Sequence, residues 1–257
     1  MKKEQIVSME KNVNKSKMEK KSSIIWGFTW TVLLLQSIIT AAFMRFLPDR
    51  IPMHFNSNGE VDRYGSKSEL LFLLILTAFV ILMCKALTKS NKEELAKSED
   101  ERVRNTAATK LYVTSLFSLL LTLIMAGVTI SLAVNGLTPA EESDGSAFLD
   151  IFMMIMNAGF GLLLILLGNA MPKTGINSSF GVRTSWSRYN NETWAQTNRA
   201  GGKITVATGF VCLIVALFVN YRYALFIISA LIIVMTVLLV YISYRVYRNV
   251  ISKENSK

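Results

Sequence analysis

The sequence has little of what most catalytic sites require. Its 257 residues include one histidine, two cysteines and four prolines. One imidazole excludes a metal site built from several histidines and leaves His54 as the only histidine base. The chain contains no GxSxG, HExxH or phosphate-loop motif. We therefore expect a protein that is not an enzyme and that has no catalytic residues, no metal site and no cofactor.

The two cysteines give no sign of redox chemistry. Cys84 and Cys212 both lie inside long apolar runs, without CxxC spacing and without a neighbouring histidine or carboxylate. A disulfide or a shared metal site is the alternative. Free cysteine behaves as a small apolar side chain in protein interiors, so the sequence favours two buried, unpaired thiols.

Charge is also scarce, and it is absent from long stretches of the chain. Only 18% of the residues are charged, whereas 51% are hydrophobic. A helix that crosses a bilayer needs about 20 largely apolar residues, because lipid offers its backbone no hydrogen-bond partners. Six runs meet this requirement, at residues 22–44, 70–88, 111–134, 148–171, 204–221 and 223–244. The sequence thus predicts an all-α integral membrane protein with six transmembrane helices, embedded in the lipid bilayer of the cell membrane.

The basic residues are distributed unequally between the connections of these six runs. Of the 28 Lys and Arg, 23 lie in the N-terminal tail, in residues 85–110, in residues 169–203 or in the C-terminal tail. Basic residues concentrate in the cytoplasmic connections of membrane proteins. We therefore predict that both termini are cytoplasmic. This bias accounts for the net charge of +10 without direct binding to nucleic acid.

These boundaries divide the chain into five segments. Residues 1–21 are predicted to form a disordered basic cytoplasmic tail, and residues 246–257 a second cytoplasmic tail. Residues 22–88 hold the first two spans and a patterned outer loop at 45–69. Residues 89–110 are predicted to be a charged cytoplasmic helical connection. Residues 111–245 form a four-span domain with a cytoplasmic loop at 169–203 and an acidic outer loop that contains Glu141, Glu142 and Asp144.

Few polar residues lie deep within the predicted spans. Gln36 and Asn157 are the polar residues nearest the middle of their spans. We expect both to form hydrogen bonds between helices, with contact to a substrate as the alternative. Gly159 and Gly161 give the fourth span a thin face that suits close helix packing.

The outer loop at 45–69 has its own pattern. Pro48 and Pro52 stiffen the exit from the first span. His54, Asp62 and Tyr64 are expected to converge as a polar pocket near the outer membrane surface. The alternative is an ordered cap in which His54 makes only local hydrogen bonds.

The loop at 169–203 is the most polar stretch between two spans. Asn190 or Asn191 is a good N-cap for a short helix that is expected to end near Ala200. On that helix Trp194, Asn198 and Gly201 fall on one side, whereas Arg199 projects elsewhere. The alternative is an amphipathic anchor. In that case Trp186 and Trp194 lie among lipid headgroups, and Arg183, Arg188 and Arg199 contact lipid phosphates.

The same loop resembles the signature of the SdpI family, membrane immunity proteins against a secreted sporulation-delaying toxin. The matching positions are Gly168, Asn169, Met171, Asn177, Gly181, Arg183, Thr184, Trp186, Trp194, Asn198 and Arg199. The sequence departs from the family at Ser185, where proline is common, and at Arg188, where an apolar residue is usual. The outer loop is similar to a second module, of unknown function, often found upstream in the same proteins. Its matching positions are Leu47, Pro48, Ile51, Pro52, His54, Phe55, Gly59 and Asp62.

The resemblance implies immunity to a peptide toxin met outside the cell. In some members it also implies signalling, by tethering a cytoplasmic transcriptional repressor to the membrane. It designates two sets of binding residues: Asn169, Asn177, Gly181, Arg183, Thr184, Trp186, Trp194, Asn198 and Arg199 inside, and Pro52, His54, Phe55, Gly59 and Asp62 outside. A different function class stays open, a small solute transporter. Six spans divide into two halves of three, which have inverted topology and carry loops 45–69 and 169–203 at equivalent places.

Overall fold

The computed structural model of the chain describes residues 2–56, 60–97, 101–137, 145–176, 178 and 180–255. Within these ranges the fold consists of six long helices and one pair of strands. The helices are α1 (Lys2–Phe43), α2 (Glu69–Lys97), α3 (Glu101–Leu137), α4 (Gly145–Ala170), α5 (Asn191–Phe218) and α6 (Tyr221–Glu254). Strands β1 (Arg50–Phe55) and β2 (Val61–Ser66) pair between α1 and α2, and a short 3-10 turn, Met171–Lys173, follows α4.

Each of the six helices contains a segment that is long and apolar enough to cross a membrane. The predicted all-α fold with six spans is therefore confirmed. Six crossings place the two ends of the chain on the same side of the bilayer. We call the membrane face with β1 and β2 the hairpin face, and the face with residues 174–190 the loop face. The assignment of the loop face to the cytoplasm stays a prediction from charge.

Two helices organise the bundle. α3 packs along α1, α2 and α4, whereas α5 packs along α4 and α6. An inverted repeat of three helices would give α3 and α6 equivalent central places. Instead the central helices are α3, the third helix of the first half, and α5, the second helix of the second half. The helix packing therefore does not follow the repeat expected of the transporter alternative.

The closest approach between two spans lies between α4 and α5, and glycine permits it. A Cβ atom on Gly202 would lie 2.5 Å from the carbonyl oxygen of Gly168. Seven residues further along α5, a Cβ atom on Gly209 would lie 2.7 Å from the carbonyl oxygen of Gly161. The expected thin face of the fourth span is thus used at Gly161. Gly159 faces a different helix, where it packs against Ile124 of α3.

Polar side chains connect α1 to α3 inside the membrane. The amide of Gln36 donates to the hydroxyl of Thr129 at 3.0 Å, and the hydroxyls of Ser22 and Ser115 lie 2.7 Å apart. All of these side chains are buried. The expected interhelical hydrogen bond of Gln36 is therefore confirmed. A bond of this kind contributes about 0.6 kcal/mol on average within a membrane, so its main effect is on the register of the two helices.

Helices extend beyond the predicted spans at the loop face. Residues 2–21 continue α1, which corrects the expectation of a disordered tail over residues 1–21. The segment contains neither proline nor glycine. Extending an existing helix adds one hydrogen bond per residue without the cost of nucleation. By the same mechanism α2 continues to Lys97, α3 starts at Glu101, and α6 takes up most of the predicted tail at 246–257.

The predicted short helix at 190–200 and the predicted span at 204–221 form one continuous helix, α5. The sequence Gly201-Gly202 suggested a break, because glycine weakens a helix. Both glycines are buried against other parts of the protein, Gly201 near Met171 and Gly202 near Pro172, and this packing offsets the weak propensity. The next boundary also shifts. α5 ends at Phe218 rather than 221, and the backbone carbonyl of Asn220 accepts the first bonds of α6.

Replacement of Gly202 by alanine tests the contact between α4 and α5. We expect Gly202→Ala to lower the unfolding temperature in detergent, because the added methyl group meets the α4 backbone and overpacking costs about 1–3 kcal/mol. Gly27→Ala is the matched control, since no atom lies within 4 Å of that Cβ position. It should be neutral or stabilising, as alanine favours a helix by about 1 kcal/mol over glycine. Equal unfolding temperatures for the two variants would contradict the contact.

Candidate functional site

Side chains from the first turns of α5 hold the described part of the loop at 174–190. Trp194 is 2% exposed, and its indole N–H donates to the carbonyl of Thr174 at 2.8 Å. Asn198 is fully buried one turn later. Its side-chain oxygen accepts the backbone N–H of Val182 at 2.8 Å, and its side-chain nitrogen donates to the carbonyl of Trp194 at 3.0 Å. Trp194 and Asn198 of α5 thus supply hydrogen-bond partners for backbone groups of the loop.

Gly181 is required by this arrangement for two reasons. Its φ angle is +127°, a backbone conformation that residues with a side chain rarely adopt. In addition, a Cβ atom at this position would collide with the side-chain oxygen of Asn198 and lie 3.1 Å from the Trp194 ring. The glycine therefore allows the backbone of the loop to reach the Asn198 amide.

A second set of hydrogen bonds closes the end of the loop. The Ser187 hydroxyl donates to the carbonyl of Val182 at 2.6 Å, and Ser187 and Thr184 exchange backbone-to-hydroxyl bonds at 3.0 Å. The Thr184 hydroxyl also contacts the hydroxyl of Ser243 on α6. Asn190 caps α5, as expected, in a capping box with Thr193. Thr184 is therefore a structural residue of the loop.

Aromatic rings attach the loop to the end of α6. The ring of Trp186 meets that of Tyr244 edge-on at 5.2 Å, and Tyr189 meets Tyr247 in the same way at 5.1 Å. The Tyr189 hydroxyl donates to the carboxylate of Glu254 at 3.3 Å. This carboxylate raises the pKa of Tyr189, because its negative charge opposes the loss of the phenolic proton. The loop therefore joins the start of α5 to the end of α6.

The basic side chains of this face remain exposed. Arg183, Arg188, Arg199 and Lys203 all lie at the surface, and none forms an ion pair within the described part of the chain. The loop and the first half of α5 thus carry two unpaired positive charges each. We call these four residues the basic platform. Its chemistry suits an acidic partner surface or lipid phosphates.

The residues predicted from the signature therefore divide into two groups. Gly181, Thr184, Trp194 and Asn198 build the loop, whereas Arg183 and Arg199 point out of it. The expected grouping of Trp194 with Asn198 and Gly201 on one side of the helix is confirmed by their burial. The expectation that Trp194 lies among lipid headgroups is wrong, because its indole N–H has a backbone partner in the protein interior. Trp186 is half-buried against α6.

Two signature residues fall outside this description. Asn177 lies outside the residues that the structure describes. Asn169 is exposed at the end of α4 and takes no part in the hydrogen bonds that hold the loop. It lines a cavity of about 190 Å³ between α1, α3 and α4, together with Tyr112 and Lys173.

Sequence reasoning missed several residues that hold the loop, namely Thr174, Ser187, Thr193 and Ser243. Thr193 had a detectable signal, since a hydroxyl three residues after an N-cap asparagine completes a capping box. The other three contact residues that are distant in sequence or irregular in conformation. Their spacing carries no periodic signal.

The outer loop at 45–69 contains a β-hairpin, which the sequence does not predict. Strand β1 pairs antiparallel with β2, from Arg50 opposite Ser66 to Phe55 opposite Val61, with irregular register near His54. Pro52 within the first strand and these irregularities hide the alternation by which a strand is predicted. Ile51 is fully buried, and a Cβ atom on Gly136 of α3 would lie 2.8 Å from it. Ile51 therefore packs the hairpin against the end of α3.

The polar residues of the hairpin converge only in part. Nδ1 of His54 lies 2.5 Å from a carboxylate oxygen of Asp62, with both side chains largely exposed. Tyr64 does not join them, since it lies opposite Pro52 in the ladder. Pro52 is buried and Phe55 is half-buried, whereas Gly59 lies outside the described residues. His54 and Asp62 therefore form a surface pair and not a pocket.

The structure also locates the remaining reactive groups. Cys84 and Cys212 are buried and unpaired. Among the residues that the structure describes, no group of three or more His, Cys, Asp or Glu side chains is arranged to hold a metal ion.

Substitution of Gly181 tests how the loop is held. We expect Gly181→Ala to release the loop, because the methyl group displaces Asn198 and the positive φ angle becomes strained by about 1–3 kcal/mol. Trypsin should then cleave after Arg183 and Arg188 at least several-fold faster in detergent. Gly175→Ala is the control, because its nearest neighbour would lie at an ordinary 3.4 Å. Unchanged cleavage of Gly181→Ala would contradict the role of this glycine.

Comparison with known proteins places both loops within described families. Residues 173–244 match the model of the SdpI/YfhL protein family, and residues 31–79 match a domain of unknown function, DUF1648. The chain is 24% identical over 224 residues to the Immunity protein SdpI of Bacillus subtilis (strain 168), across 84% of this chain and 93% of that protein. No solved structure matches the chain. The predicted resemblance is confirmed: one multi-pass membrane protein is similar to DUF1648 over residues 31–79 and to the SdpI/YfhL family over residues 173–244.

Proposed function

We propose that this protein gives its cell immunity to a secreted antimicrobial peptide. One observation carries the proposal: the similarity to an immunity protein extends over 84% of this chain and 93% of the relative. The similarity therefore extends over much more of the chain than the two family matches. Immunity of this kind is a binding function, in keeping with the scarcity of catalytic residue types in the sequence.

The hairpin face is the proposed place of contact with the peptide. The hairpin presents the polar pair His54 and Asp62 and the half-exposed ring of Tyr64, and Phe46, which precedes β1, is about three-quarters exposed. Aromatic and polar groups on a β-hairpin form a surface that suits an amphipathic peptide. Pro52 and Phe55 hold the strand in place rather than contact the partner.

Peptide challenge tests the immunity function. Deletion of the gene should sensitise cells to the sporulation-delaying toxin or to another member of a panel of secreted peptides. The intact chain should restore survival. His54→Ala/Asp62→Ala should restore it incompletely, because the double substitution removes the polar groups from the hairpin surface. Thr236→Val, which changes an exposed side chain of α6, is the control. Survival that is the same with and without the gene across the whole panel would contradict immunity.

The loop face is the proposed docking surface for a cytoplasmic transcriptional repressor. The basic platform supports this part of the proposal, because its charges are unpaired and the loop beneath them is rigid. Exposed Arg and Lys on a pre-ordered surface recognise acidic groups with little loss of conformational entropy. Arg183 and Arg199 are the contact residues of choice, since they belong to the signature and make no structural hydrogen bonds.

Arginine substitutions separate docking from folding. Arg183→Ala and Arg199→Ala should reduce co-purification of a repressor from peptide-treated membranes several-fold and leave the abundance of the protein unchanged. Thr236→Val, on the exposed surface of α6 and outside the basic platform, is the control and should change neither. Trp194→Ala should instead lower abundance, since truncating a buried tryptophan costs about 3–5 kcal/mol. Full co-purification with both Arg183 and Arg199 replaced would contradict this docking surface.

The transporter alternative receives no support from the packing of the helices. α3 and α5 occupy the central places, which an inverted repeat of three helices does not produce. The two connections also differ in kind: a β-hairpin follows α1, and an irregular loop held by side chains follows α4. We therefore favour a binding protein.

A further inference from the structure

Asn157 is a polar residue of the membrane interior that lacks a partner. Its side chain is 8% exposed on α4, and it forms no hydrogen bond within the part of the chain that the structure describes. Gln36, the comparable residue of the first half, donates to Thr129. An unpaired carboxamide in an apolar environment costs about 1–3 kcal/mol. Packing between helices thus satisfies the side-chain nitrogen of Gln36, although not its oxygen, and it satisfies neither polar atom of the Asn157 side chain.

A cavity of about 240 Å³ lies against this carboxamide. Met154 and Asn157 of α4, Ala216 and Phe218 of α5, and Ala224 of α6 contribute to its lining. Val219 and Asn220, in the turn between α5 and α6, line it at the hairpin face. Apart from the asparagines, the side chains that line the cavity are apolar, although polar atoms also border it. The cavity thus combines apolar side chains with the unpaired carboxamide of Asn157.

The depth of Asn157 limits the chemistry of a ligand. Asn157 lies twelve residues after the start of α4 at Gly145, about 18 Å along the helix at 1.5 Å per residue. The carboxamide offers both donors and an acceptor. A lipid acyl chain can pair with neither the donors nor the acceptor of this carboxamide. A lipid ester offers only acceptors and can pair with the donors alone. A peptide amide offers one donor and one acceptor and satisfies both functions of Asn157.

We propose that this cavity binds one residue of an apolar peptide segment that enters from the hairpin face. The peptide's backbone amide pairs with the Asn157 carboxamide, and its side chain fills the apolar part of the cavity. A volume of about 240 Å³ lies below the 300–1,000 Å³ of sites for drug-sized ligands, which suits a single residue. The identity of the natural ligand as the antimicrobial peptide rests on the proposed function, whereas the chemistry of the cavity does not.

A model amide tests the cavity independently of immunity. The full chain in lipid nanodiscs is titrated with N-acetyl-leucine methylamide, and binding is followed by saturation-transfer NMR against empty nanodiscs. The second probe is the ester analogue of the same shape, in which oxygen replaces each N–H. We expect the amide to bind the intact chain about five- to tenfold more tightly than the ester, as the loss of one hydrogen bond predicts. In Asn157→Leu the difference between the two probes should disappear.

Two further variants keep the result interpretable. Ala216→Phe fills the cavity and leaves the carboxamide intact, so it should abolish binding of both probes. Thr236→Val lies on the exposed surface of α6 and should leave both affinities unchanged. An amide that does not bind, or that binds Asn157→Leu as tightly as the intact chain, overturns the proposal.

Challenge with the sporulation-delaying toxin distinguishes the two proposals. Asn157→Leu and Ala216→Phe should weaken protection without loss of abundance. Full protection by both variants overturns the assignment of the toxin to this cavity and leaves immunity standing. Amide binding that depends on Asn157, in a chain that protects against no peptide, supports the cavity and contradicts the proposed function instead.

Discussion

The close approach of α4 and α5 is the contact on which the rest of the second half depends. Gly168 faces Gly202 and Gly161 faces Gly209, so the two backbones meet with no side chains between them. Lipid provides little hydrophobic drive for association of spans, and helices in membranes therefore associate through close packing of this kind. The contact places the first turns of α5 directly beside Pro172 at the end of α4. The loop at 174–190 begins and ends at these two elements.

The position of α5 explains why so polar a loop is ordered. Its backbone groups lie near the membrane surface, where they need partners, and α5 supplies them through Trp194 and Asn198. Most signature residues within the described chain therefore serve to hold the loop. The arginines are different, because no contact in the described part of the protein requires them. An exposed residue that folding does not need is a better candidate for binding than a buried one.

The same contact has a consequence at the other end of the two helices. α5 ends at Phe218, where the glycine pairs no longer hold it against α4. Asn157 and Ala216 border the cavity that opens there. One helix pair thus holds an ordered basic loop at one membrane face and a cavity with an unpartnered amide near the other. The proposed peptide cavity and the proposed docking surface thus involve the same two helices.

The amino-acid sequence alone is enough to predict the six spans, the N-cap at Asn190 and the separation of Arg199 from Trp194 and Asn198 along the helix. These features depend on the length and periodicity of a single segment, which are local properties. The burial of Trp194, the hairpin at residues 45–69 and the continuation of α5 through Gly201-Gly202 emerge only from the three-dimensional packing. The same is true of the partner of Gln36 and the cavity beside Asn157. Each of these outcomes depends on which distant backbone or side chain lies alongside, and that information is not contained in the spacing of residues along one helix.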